Sequence, residues 1–251
     1  MNLKIDNKEV FCNNFVSNLS RIVDNGVLKI ERDKISCTTS TADNTIIVYC
    51  QYTNAGKFHD EDKTVSLNIP DFKKFSKLLG AISGEIDLEV DANSINYNSD
   101  IVRFKFHLFE DGILSSPKIS MDKISKISFD YGFTISSEAL ANLMRGSALL
   151  ADLNKIYFNI IGNKVYGEVT DKARHNVDSF STCISNDFSN SGTSISGFAK
   201  VIPLNIEIVR ILGSSKCPKF DVKYSSQFNV LTFDASINNL FTRYVVSALV
   251  N

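Results

Sequence analysis

The stretch "SLNIPDFKKFSKLLG" (66–80) has a second version in the same chain, "AKVIPLNIEIVRILG" (199–213). Each reads as a short apolar strand, an Ile-Pro step and an amphipathic helix that reaches a glycine. In the first version the spacing predicts a helix over Pro70–Leu79, with Phe72, Phe75, Leu78 and Leu79 turned inward. Lys73, Lys74 and Lys77 fall on its other face. In the second version the helix is expected from Pro203, with Gly213 after its end.

Outward from these two markers, the same order appears twice. The first half opens with a helix over 7–23, capped by Asn7, with a stripe of Phe11, Phe15, Leu19 and Ile22. Strands follow in "GVLKIERDKISCTTS", "NTIIVYCQY" and "KTVSLNI". After the Ile-Pro helix come three more in "GEIDLEVDANSINYNSDIVRFKFHLF". In the last of these, Ile101, Arg103, Lys105 and His107 share one face, and Val102, Phe104, Phe106 and Leu108 share the other. The second half opens with a helix over 136–152, with Leu140, Leu143 and Met144 inward. "KIYFNIIGNKVYGEVTD" and "NVDSFSTCIS" follow, then the 203–212 helix, then "KFDVKYS", "NVLTFDA" and "RYVVSALV". Strands succeed one another without crossover helices, so the sheets are expected to be antiparallel. The reading is an internally duplicated α+β chain: a first domain over 1–109, a connector over 110–128 and a second domain over 129–251. Each domain has two helices.

With 43% hydrophobic residues and 22% charged, 251 residues suffice for two cores. A net charge of -1 and a pI near 6.3 exclude a protein that coats nucleic acid by bulk charge. Any such contact must come from a local patch. The five cysteines (Cys12, Cys37, Cys50, Cys183, Cys217) are scattered without CxxC spacing and are expected to be reduced, buried or half-buried thiols. "MNLKIDNKEVF" has no apolar core of a signal peptide, and no apolar run has the length of a membrane span. A soluble, cytoplasmic protein is expected.

No frame for catalysis stands out. His59 lies in "GKFHDEDK" beside Asp60, Glu61 and Asp62, which reads as a solvated charged loop rather than a metal site. His107 lies on a strand and His175 in a loop. GxSxG, P-loop, GxGxxG and HExxH patterns are absent from the sequence. The expectation is a non-enzyme with no catalytic residues, no metal and no cofactor. Basic residues instead gather on helices. Lys8 and Arg21 lie on the first helix among Asn14, Ser17 and Asn18, and Lys73, Lys74 and Lys77 on the second. Arg145 lies on the third, Arg210 on the fourth and Lys216 after it.

The order helix, meander, Ile-Pro helix, meander, connector, and the same again resembles the DNA sliding clamps. These are the proliferating cell nuclear antigens and the clamp of T-even bacteriophages. "NNFVSNLSRIVDNGVLKI", "IPDFKKFSKLLGAI" with "IDLEV" and "INYNS", "FTISSEALANLMRGSALL" and "RYVVSALV" carry the resemblance, which covers nearly the whole chain. It implies a homotrimeric ring around duplex DNA, with helices lining the hole, and a role in tethering a replicative DNA polymerase. Lys8, Arg21, Lys73, Lys74, Lys77, Arg145, Arg210 and Lys216 would then face DNA. Ring closure would join "IVRFKFHLF" (Val102, Phe104, Phe106) to "NVDSFSTCIS" (Val177, Ser179, Ser181) of the next subunit. Polymerase and clamp loader would dock at Ile46, Ile124, Ile127, Val246, Ala248 and Leu249. A viral source, in an infected cell's cytoplasm, also follows from the resemblance. The polar segment 185–196 receives no role. The competing reading is a β-rich structural assembly protein without a DNA role, which would need no gathering of cations on helices.

Overall fold

The computed structural model describes residues 1–54, 64–117, 121–174, 176–190 and 198–249. The expected loop with His59, Asp60, Glu61 and Asp62, the residue His175 and the second half of the polar segment 185–196 lie outside these.

The chain divides into two compact units, one of residues 1–119 with 236–242 and one of residues 120–235 with 243–251. The first unit runs β1 (Asn2–Ile5), a helix over 8–22, then β2 (Gly26–Ile30), β3 (Lys34–Ser40), β4 (Ile46–Thr53) and β5 (Val65–Ile69). The helix Phe72–Ala81 follows, then β6 (Ile86–Val90), β7 (Ser94–Asn98) and β8 (Arg103–His107). The second unit begins with a short helix, Met121–Ser125, inside the segment read as connector. It continues with β9 (Tyr131–Ser136), the helix Ser137–Leu149, β10 (Lys155–Ile161), β11 (Lys164–Val169) and β12 (Phe180–Ser185). β13 (Ser189–Asn190) and β14 (Ala199–Asn205) lead to the helix Glu207–Ser214, and β15 (Lys219–Ser225), β16 (Val230–Ile237) and β17 (Leu240–Ser247) end the chain.

The duplication holds strand for strand. In the first unit the sheets have the orders β5-β2-β3-β4 and β1-β6-β7-β8. In the second they are β14-β10-β11-β12 and β9-β15-β16-β17, with the two-residue β13 added beside β9. Taken in chain order, β1 to β8 therefore correspond to β9, β10, β11, β12, β14, β15, β16 and β17. The paired registers are antiparallel throughout.

Four expectations need correction. Each repeat opens with a strand, β1 or β9, and not with a helix. Pro203 sits inside β14, opposite Tyr157, so the second Ile-Pro step does not start a helix; that helix begins at Glu207. Proline is tolerated there because β14 is a marginal strand, and the Pro203 carbonyl still accepts from Leu249 N at 2.8 Å. Asn14 and Asn18, read as part of a polar face, are buried. The middle of their helix, Phe11–Val16, is π-helical, and its wider turn departs from the 3.6-residue period used to assign faces. Val177 and Ser179 precede the strand that was expected to hold them, since β12 starts at Phe180.

Local chemistry explains the helices that were legible. Asn7 Oδ1 accepts from Val10 N at 3.1 Å, Asp71 Oδ1 from Lys74 N at 2.8 Å and Ser136 Oγ from Ala139 N at 3.1 Å. Each meets an N–H that the first helical turn leaves without a partner. The first unit's core gathers Phe11, Phe15 and Tyr52, with Phe11 and Tyr52 rings 5.2 Å apart edge to face. Phe75, on the lysine helix, lies 5.2 Å from Phe106 of β8. Among the described residues no helix is long and apolar enough to cross a membrane.

All five cysteines are free, and Cys183 on β12 is exposed while the other four are buried. Burial pushes the Cys12 thiol up to about 11 and raises those of Cys37 and Cys217 as well. At neutral pH we expect Cys183 alone to react rapidly with a thiol reagent in the folded chain, since thiolate is the reactive form. A second fast-reacting thiol in a stopped-flow titration would contradict this packing. Phe75→Ala should cost about 3–5 kcal/mol of stability, read from urea denaturation.

Candidate nucleic-acid interface

In each unit the two long helices pack against each other. Their apolar sides are spent on that packing and on the sheets, so their remaining side chains are what a ligand would meet. On Phe72–Ala81, the buried residues Phe72, Phe75 and Leu79 leave Lys73, Lys74 and Lys77 exposed on the opposite face.

The predicted cations differ in how they are held. Lys74 and Lys77 are exposed and have no ion-pair partner among the described residues. Lys73 Nζ lies 2.9 Å from Asp24 Oδ1, and that hydrogen bond raises the lysine's pKa. Lys8 is half-buried and donates to the Ile82 carbonyl at the end of the lysine helix. There a cation meets the negative end of the helix dipole, so Lys8 serves the fold as well as any ligand. Arg21 is exposed. In the second unit Arg145 and Lys216 are exposed without ion pairs among the described residues, while Arg210 lies 3.3 Å from Glu207 Oε2.

The first unit also holds a groove of about 550 Å³ that the sequence did not announce. Arg21, Asp24, Asn25, Thr38, Ser40, Lys73, Ser115 and Ser116 line it. They come from separate stretches of chain, and none carries a motif. Beside it, Thr41 Oγ1 donates to Asp43 Oδ1 at 2.6 Å, and Thr45 N donates to the same oxygen at 3.2 Å. These bonds hold the Asp43 carboxyl below its ordinary value and fix the 41–45 turn.

Both strands expected at the subunit interface are marginal strands of their sheets, β8 beside β7 and β12 beside β11. Phe106 is buried, and Val102 and Phe104 are half-buried. Ser179 and Ser181 are exposed and Val177 is half-buried. Of the residues expected to dock partners, Ile46 lies in the first unit and is wholly buried. Ile124, Val246 and Ala248 are buried in the second, and Ile127 and Leu249 are half-buried. Among the described residues no group of three His, Cys, Asp or Glu side chains could hold a metal ion.

Lys8→Ala should lower stability by about 0.3–1 kcal/mol, the worth of a cation at a helix C-terminus. Lys74→Ala and Lys77→Ala should leave it unchanged, all read from the same urea transition.

No family's sequence model matches the chain, and no curated protein's sequence does. Solved structures do match. Proliferating cell nuclear antigen from Entamoeba histolytica superposes with a TM-score of 0.74 at 15% identity, covering 99% of this chain and 98% of that one. The same antigen from Thermococcus kodakaraensis gives 0.74 at 12% identity, covering 99% of each chain. A. fulgidus PCNA, solved with the C-terminal region of FEN-1 bound, gives 0.74 at 10% identity over 100% of this chain and 98% of that one. At such identities the likeness is one of fold, and over the whole length of the chain the fold is that of the DNA sliding clamps.

Proposed function

We propose that this chain is a sliding clamp: three copies close into a ring around duplex DNA and tether a DNA polymerase without catalysing a reaction. The observation that carries the reading is an asymmetry within the duplication. In the first unit, residues 236–242 cover the margin of β4, where the Asn239 carbonyl accepts from Thr53 N at 2.8 Å and Phe241 packs 6.4 Å from Tyr49. β4 corresponds to β12, and the strand that begins at Leu240 corresponds to β8. Yet β8 and β12 have no such neighbour among the described residues. One copy therefore offers a bare β8 and a bare β12, different surfaces that can be joined head to tail. Repeated, such a joint closes a ring or runs on as a filament.

The helix cations support DNA as the threaded partner. A ring held by topology needs only weak phosphate contacts, which carry no sequence information and permit sliding. Lys74, Lys77, Arg145 and Lys216 suit that role because no carboxylate among the described residues holds them. A clamp loader is the partner that opening such a ring calls for. The A. fulgidus antigen's bound FEN-1 segment supports docking of partner proteins by short chain ends.

Three measurements test this. Light scattering over a dilution series should give a trimer that falls to monomer; a strict monomer at high concentration would sink the ring. Protein loaded on nicked circular DNA should be retained and then released once the circle is cut, whereas equal retention on linear DNA would mean ordinary binding. Replacing Lys74, Lys77 and Arg145 together by alanine should reduce the slope of log K against log salt by up to about 0.9 for each phosphate that is no longer neutralised.

A further inference from the structure

β8 carries its cations where its open backbone is. Ser99 N bonds Val102 O at 3.0 Å and Leu108 N bonds Asn93 O at 2.9 Å. With the register Asn96↔Lys105, the alternation of an antiparallel ladder aims the backbone groups of Phe104 and Phe106 at β7. Those of Arg103, Lys105 and His107 point away from the sheet. The side chains of the same three residues are exposed, and none makes an ion pair among the described residues. The corresponding strand differs. There Arg243 makes two bonds of 2.7 Å with the Asp234 carboxylate of its neighbour strand. On β7, Lys105 and Arg103 face Asn96 and Asn98 instead.

β12 has the opposite character. The bond from Gly162 N to Phe198 O, 2.9 Å, and the register Ile161↔Lys164 fix which residues of β11 face β12. The same alternation leaves the backbone groups of Ser181 and Cys183 pointing outward. Their side chains are exposed, small and uncharged.

We infer that the Arg103–Lys105–His107 stripe selects the partner of the β8 margin: it rejects a second β8 and accepts the uncharged β12 of another copy. The inference rests on the ring reading. If two copies paired β8 to β8 about Lys105, Lys105 would face Lys105 and each Arg103 would face a His107. The two Lys105 charges, directly opposite each other, would destabilise the ladder. Paired to β12 with Lys105 opposite Ser181, Arg103 faces Cys183 and His107 faces Ser179, and no cation meets another. Positive charge on an open margin is a general device against self-pairing. Here it would turn a surface capable of a closed two-fold dimer into one that works only head to tail.

The test separates this inference from the ring itself. Ser181→Pro removes an outward N–H of β12 and leaves its ladder with β11 intact. In that background the chain should sediment as a monomer, and adding R103S, K105S and H107S should yield dimers. Self-association should rise about tenfold or more. Exchanging K105S for K105P in the same set should abolish the dimer, placing it at β8, with circular dichroism confirming the fold of each variant. A neutral-stripe variant that stays monomeric, or dimers that survive K105P, would overturn the inference, whatever the oligomer of the parent chain. If the parent chain is itself monomeric but the neutral stripe dimerises, the ring reading fails and the acceptance of β12 with it, while the rejection of a second β8 stands.

Discussion

A strand at the margin of a sheet turns half of its backbone N–H and C=O groups toward whatever lies beside it, and those groups must find partners. Much of this molecule follows from how its margins meet that demand. β5 is served by the chain beyond β8, where Phe109 N bonds Asn68 O at 3.0 Å and Asp111 accepts from the Asn68 side chain at 2.8 Å. β14 is served by Leu249 and needs one donor fewer at Pro203. β4 is served by residues 236–242. Both β5 and its counterpart β14 are served, whereas β4 is served and its counterpart β12, like β8, has no added neighbour among the described residues.

The basic surface is selective in the same way. Asp24 and Glu207 each hold one of the predicted cations, and Ile82 holds another. Lys74, Lys77, Arg145 and Lys216 remain as a sparse set of exposed charges without ion pairs among the described residues, in a chain whose total is nearly neutral. Such a set suits a partner kept in place by enclosure, because strong attachment would oppose movement along it.

The duplication, the Asn7 cap and the apolar stripes were legible because they are written in neighbouring residues: Asn7 acts within three positions. β1 and β9 were hidden because "NLKI" and "YGFTIS" are too short for alternation to stand out beside the strong helices that follow. Pro203 misled because proline in a first helical turn and proline on a marginal strand look alike until the sheet order is known. Asn14 and Asn18 misled because a π turn shifts the faces of a helix without any sign in composition. The groove with Arg21 and Lys73 could not be read at all, since distant stretches build it. The basic side of β8 was visible as alternation, but which of its residues offer open backbone depended on the register with β7.

Gly146 shows how little slack the second unit has. A methyl group at that position would come within 2.0 Å of the Phe180 ring, so the helix that carries Arg145 rests almost directly on the first residue of β12. The position admits an alphabet of one letter. Its neighbour in sequence is an exposed cation and its neighbour in space begins an open strand. A displacement of that helix by the thickness of a methyl group has nowhere to be absorbed before it reaches the strand.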